Sequence, residues 1–173
     1  AALDWFTKAA EGGHPNAPGN IGQLIATGAL GKKVDFGLAV EWFDKGLERG
    51  DANAGAYGAY LILTEGAGGL GPADAAFRAG RAAALRDPVS VERARKVLAA
   101  LPAEAINEAS QRLLQALGAE LDADGAFGAG SEAAYKAIAK KLGDTSLESD
   151  PVERLIDLAR LHWSTTPFRV DLY

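Results

Sequence analysis

Ala2-Leu3-Asp4-Trp5-Phe6-Thr7-Lys8 returns 37 positions on as Ala39-Val40-Glu41-Trp42-Phe43-Asp44-Lys45. The agreement extends outward at the same offset, pairing Glu11 with Glu48, Gly13 with Gly50, Asn16 with Asn53 and Ala17 with Ala54, then Leu24, Ile25 and Thr27 with Leu61, Ile62 and Thr64. So many coincidences at one spacing identify an internal repeat of the size used by stacked supersecondary units. Each unit reads as two helices, the first over residues 17–27 and the second over 36–48, joined by a loop bearing Gly28 and Gly31. Gly13 and Gly50 fall just past the second helices, where a left-handed residue is needed and glycine has no Cβ to clash.

Composition agrees with an all-α fold. Alanine and glycine are abundant, aromatics make up only 8% of the 173 residues, and β-branched runs are scarce, which favours closely packed helices over sheets. The formal net charge of −5 argues against a nucleic-acid partner, which would need a basic face. No apolar run approaches the roughly 18 residues of a membrane span, and no basic region followed by an apolar stretch opens the chain. The absence of cysteine removes disulfides, thiolate metal sites and cysteine nucleophiles. Methionine is also absent, even at position 1, so the sequence is expected to be a piece of something longer or a processed product.

The first half of the chain resembles the Sel1-like repeat family. Ala17, Ile21-Gly22, Leu24-Ile25, Gly28, Gly31, Val34-Asp35, Ala39, Trp42-Phe43, Lys45 and Gly50 follow that family's pattern of Ala, Leu-Gly, Leu-Tyr, a glycine loop, Asp, Ala, Trp, Lys and Gly. The resemblance implies an α-solenoid of TPR-like helical hairpins that presents an extended face to a protein partner. The segment from Ala2 to Gly13 matches only the second half of a unit. A later unit starting at Ala54 keeps Tyr57, Leu61 and Ile62 but has no Trp over residues 73–85, and is degenerate. Trp5 and Trp42 sit at equivalent places in an amphipathic helix and read as core residues filling the space between hairpins, not as surface hot spots.

Val91, Ala94, Val97 and Leu98, then Ile106, Ala109, Leu113, Leu114 and Leu117, recur at helical spacing, with Leu101-Pro102 breaking the run into two linking helices. Beyond them, Ser110-Gln111-Arg112-Leu113-Leu114-Gln115-Ala116-Leu117-Gly118 is followed by Asp124-Gly125-Ala126-Phe127-Gly128 and Ser131-Glu132-Ala133-Ala134-Tyr135. This half is similar to the peptidoglycan-binding domain family, with its Leu-Gln helix, Asp-Gly-x-Phe-Gly turn, Ser or Thr cap and Glu-Ala-Ala helix. Asp124-Gly125 suits a tight turn, Phe127 can plug a small core, Ser131 can cap the next helix, and Gly128 and Gly130 can let the chain reverse. The resemblance implies a small three-helix domain and peptidoglycan as its ligand, with Asp124, Gly125, Phe127, Gly128 and Ser131 as candidate binding residues. The sequence departs from the family in a loop about one residue short before Asp124, and in Ala123 and Ala139 where a larger apolar residue and a Gln are usual.

The expected organisation is therefore repeats over 1–101 and a peptidoglycan-binding-like region over 102–173. Glu120, Asp122 and Asp124 alternate before Gly125 like the start of a calcium loop, but the twelfth position is Ser131 and the first acid beyond it, Glu132, comes one step late. Asp150-Pro151-Val152-Glu153 is a helix start, with Val152, Leu155, Ile156, Ala159 and Trp163 on one face. The last six residues, from Phe168 to Tyr173, alternate like a strand or docking tail.

No catalytic signature appears. His14 and His162 are the only histidines, and no metal-binding His pair, phosphate loop or dinucleotide motif is present. The expectation is a non-catalytic binding module needing no cofactor or metal, in the periplasm or bound to the cell envelope. The alternative is an interaction arm of a larger effector or protease, in the cytoplasm, that keeps the wall-binding scaffold without its ligand.

Overall fold

Four aspartates start helices by the same chemistry. Asp35, Asp51, Asp87 and Asp150 hold extended backbone and accept from the amides of Leu38, Ala54, Ser90, and Val152 and Glu153, which supplies partners the first helical turn lacks. Pro88 and Pro151 follow two of these caps at the first helical position, where a missing N–H costs nothing.

The computed structural model describes residues 2–31, 33–144 and 146–166. Over them the chain is all-helical, with nine α-helices and no strand. The helices are α1 (Ala2–Glu11), α2 (Ala17–Ala26), α3 (Phe36–Glu48), α4 (Ala52–Glu65), α5 (Pro72–Ala84), α6 (Pro88–Ala99), α7 (Ala103–Ala116), α8 (Ala129–Lys141) and α9 (Pro151–Thr165). The 37-residue echo falls on α1 and α3 and on α2 and α4, and α1 and α3 each end before a glycine of positive φ, 82° at Gly13 and 87° at Gly50. The expected alternating tail from Phe168 lies outside the described residues.

From α1 to α6 each helix packs against the next. The chain then folds back: α7 and α9 both lie against α5 and against each other. One apolar core runs without interruption from Ala39 and Phe43 through Ala79, Leu98 and Leu113 to Leu155 and Leu158, and a smaller cluster of Ala10, Ala17 and Ile21 sits beneath α1 and α2. Alanines form much of this interior, so helices approach closely. At Gly80, for example, a Cβ would stand 2.6 Å from Leu155 of α9.

The expected core role is overturned for Trp5 and partly met by Trp42, which packs half-buried against the Ala10, Ala17 and Ile21 cluster. Trp5 is 76% exposed and Trp42 half-buried, whereas Phe43 is buried and fills the gap between helices, with its ring 3.0 Å from where a Cβ on Gly22 would lie and stacked on Tyr57 at 6.0 Å. The buried row on α3 is Ala39, Val40, Phe43 and Leu47, one position round the helix from Trp42.

Candidate functional site

The turn from Asp124 to Ser131 is built on Gln111, a glutamine of α7 that is only 1% exposed. Its Oε1 accepts from the Gly125 amide at 2.8 Å, and its Nε2 lies 2.9 Å from Asp124 Oδ1, 3.2 Å from the Ala126 carbonyl and 3.1 Å from Ser131 Oγ. Asp124 Oδ1 also accepts from the Ala126 amide at 2.9 Å, closing an Asx turn. The Gln111 amide first, and the Ala126 N–H after it, hold the Asp124 carboxyl below its usual range. Gly125 is buried with φ +77°, and a Cβ there would lie 3.0 Å from the Glu104 carbonyl, so this position admits only glycine without strain.

The other candidates take different roles. Ser131 does not cap α8. The helix starts earlier, at Ala129, because the Gly128 carbonyl already accepts from Glu132, and Ser131 lies buried beneath Gln111. Phe127 packs on the core with the Arg154 guanidinium 3.6 Å above its ring, and Arg154 reaches on to Asn107 Oδ1 at 2.7 Å. Neither Gly128 nor Gly130 has positive φ, and a Cβ on either would meet nothing within 4 Å, so they are not needed for the reversal.

The five residues therefore do not converge on one pocket. Asp124 and Gly125 line a shallow cleft of about 370 Å³ with Asp74, Glu104, Glu108 and Arg112, where the N-terminal ends of α5 and α7 meet the turn. Phe127 and Ser131 face inward and serve the scaffold. Gln111 carries the arrangement, and sequence reading missed its role because a polar residue on a helix is ordinarily solvated.

A second surface lies where Gly28 and Trp42 fall. α1, α2 and α3 leave an open groove of about 380 Å³ lined by Ile21, Leu24, Ile25, Leu38 and Trp42, with Lys33 and Asp35 among its polar residues. Gly28, with φ +66°, turns the chain out of α2 at its edge, and Gly22 lets α2 and α3 close at the Phe43 ring. Lys45 Nζ sits 4.1 Å from the Trp42 ring centroid.

Buried and half-buried ion pairs link the helices. Arg78 makes a two-pronged pair with Asp44, 2.7 Å on both prongs, while Arg81 meets Glu48 at 2.7 Å and Arg112 meets Asp74 at 3.0 Å, tying α3, α5 and α7 together. Tyr135 donates to the buried Asp157 at 2.6 Å and accepts from the Glu148 amide at 3.1 Å, which anchors α8 and the loop after it to α9. Burial raises the pKa of both groups. His162 is pushed down by burial and by the neighbouring Arg81. No family model, curated protein or solved structure matches this chain.

Proposed function

We propose that this chain is a non-catalytic binding module: a Sel1-like solenoid that holds a protein partner, joined to a peptidoglycan-binding-like region that contacts the wall of a bacterial envelope. The observation that carries this reading is the groove beside Trp42. Leu38 is 41% exposed at a groove lined mostly by apolar side chains, and a contiguous apolar surface left uncovered by the described residues marks a place for another chain. The 37-residue echo in the sequence supports the solenoid, and the Asp124-Gly125 turn supports the wall-binding resemblance, with the cleft at Asp124 as the contact. The compartment that fits is the periplasm.

A second reading is favoured by one observation. Gln111 spends its side-chain amide on Asp124, Ser131 and the Gly125 amide, which suits a scaffold that has lost its ligand and serves as an interaction arm, in the cytoplasm, of a larger effector. Sedimentation with purified peptidoglycan sacculi separates the two. Pelleting supports wall contact, and a folded chain left in the supernatant supports the arm.

A further inference from the structure

On the face of the molecule where α4 and α6 pack together, a groove of about 510 Å³ is lined by Tyr57, Tyr60 and Leu63 from α4 and by Arg93, Lys96, Val97 and the C-cap residue Ala100 of α6. The α6 residues stand at i, i+3, i+4 and i+7, one continuous row along the helix, and Val89 extends the row one turn back at 66% exposure. Tyr60 is 47% exposed. The row from 89 to 100 spans roughly 16 Å, the length of about three helical turns.

Charge selects the occupant. The whole chain carries −5, yet among the described residues this groove is lined by two cations and no carboxylate. The carboxylates that meet these cations, Asp87 and Glu92, belong to the cap and early turns of α6 and do not line the groove. Arg93 lies with its guanidinium carbon 4.2 Å from the Tyr57 ring centroid and donates to Asn53 Oδ1, so its planar fork is fixed before any ligand arrives. Lys96 is paired with Glu92 at 2.8 Å across two side chains that are both largely exposed, a weak pair that a ligand carboxylate can replace at little cost.

We infer that the α4–α6 groove binds an acidic amphipathic helical segment of another protein, its apolar ridge between Tyr60, Leu63 and Val97 and its carboxylates on Arg93 and Lys96. An apolar floor with a cationic rim is the complement of such a helix. The site is separate from the Trp42 groove and stands whether or not that groove has a partner.

The test is fluorescence anisotropy of the full chain with two synthetic peptides of about 14 residues, long enough to form the three turns. Both carry leucines at helical spacing; one bears glutamates on the flanks and the other lysines. The glutamate peptide is expected to bind about tenfold or more tightly than the lysine peptide, and to weaken as salt is raised. Lys96→Glu is expected to lower its affinity several-fold and narrow or invert the preference. Lys136→Glu, which removes the same kind of exposed i,i+4 pair on α8, changes the charge equally and is expected to leave the affinity alone. Circular dichroism checks the fold of each variant, and the comparison of the two peptides on the unaltered chain holds even if Lys96→Glu does not fold. Equal affinity for the two peptides, equal losses in the two variants, or binding only to phosphatidylglycerol vesicles would overturn the proposal.

Discussion

Gln111 holds Gly125: the glutamine Oε1 accepts the buried glycine amide at 2.8 Å while its Nε2 reaches Asp124, Ala126 and Ser131. One side chain of α7 thus supplies the hydrogen bonds of a turn 13 to 20 residues later in the chain. Gln111→Leu, close in volume, should cost about 2–3 kcal/mol, because the Gly125 amide and Ser131 hydroxyl lose their partner inside the protein. Chemical denaturation measures the loss, and hydrogen exchange at Gly125 should rise well above that at the other turn amides.

The glycines of the same turn should separate cleanly. Gly125→Ala puts a Cβ at φ +77° and 3.0 Å from the Glu104 carbonyl, and is expected to destabilise by about 2 kcal/mol or more. Gly128→Ala has ordinary φ and open space, and should stay within about 0.5 kcal/mol of wild type. A urea series on both variants decides the matter; equal costs would mean the turn is not held as described.

Helix contact makes a similar contrast. A Cβ on Gly22 would stand 3.0 Å from both the Ala39 carbonyl and the Phe43 ring, so Gly22→Ala should cost about 1–3 kcal/mol by forcing α2 from α3. Gly130→Ala lies in the first turn of α8 with nothing near it, and should stabilise by about 0.5 kcal/mol through reduced freedom of the unfolded chain. Thermal melts of the two variants should move in opposite directions.

Acidification should weaken the packing of α9 through His162. Its folded pKa is depressed by burial and by Arg81, below the ordinary 6.5, so the unfolded chain binds a proton more readily than the folded one. The stability it contributes is complete above about pH 6.5 and is lost as pH falls through the folded value. Asp157 works in the other direction: burial raises its folded pKa above 3.8, so its contribution is complete below that pH and is lost as pH rises through the folded value. His162→Gln should flatten the fall in stability just below pH 6.5, as read from melting temperatures taken across that range.

Helix positions were largely legible in the sequence. The second helix of the repeat was expected over 36–48 and is α3 (Phe36–Glu48), and the Asp150-Pro151 start of α9 reads directly from cap chemistry. The facing of the helices was not. With Trp42 and Phe43 adjacent, both fall within one broad apolar arc, and only the neighbouring helices decide that Phe43 goes inward. Ser131 read as a cap because the helix start was placed late, and Gly128 carries no side-chain signal to mark the earlier one. Gln111 and Asp157 were hidden for a common reason: polar residues on amphipathic helices are usually solvated, and nothing local shows that their partners arrive from distant segments.

The proposed wall-binding role of the C-terminal region demands contact with peptidoglycan. Sedimentation of the folded full chain with purified sacculi tests it most directly. With such a role the chain pellets with the sacculi and is released by soluble wall fragments carrying peptide stems. A folded chain that stays in the supernatant, beside a known wall binder that pellets, would contradict it.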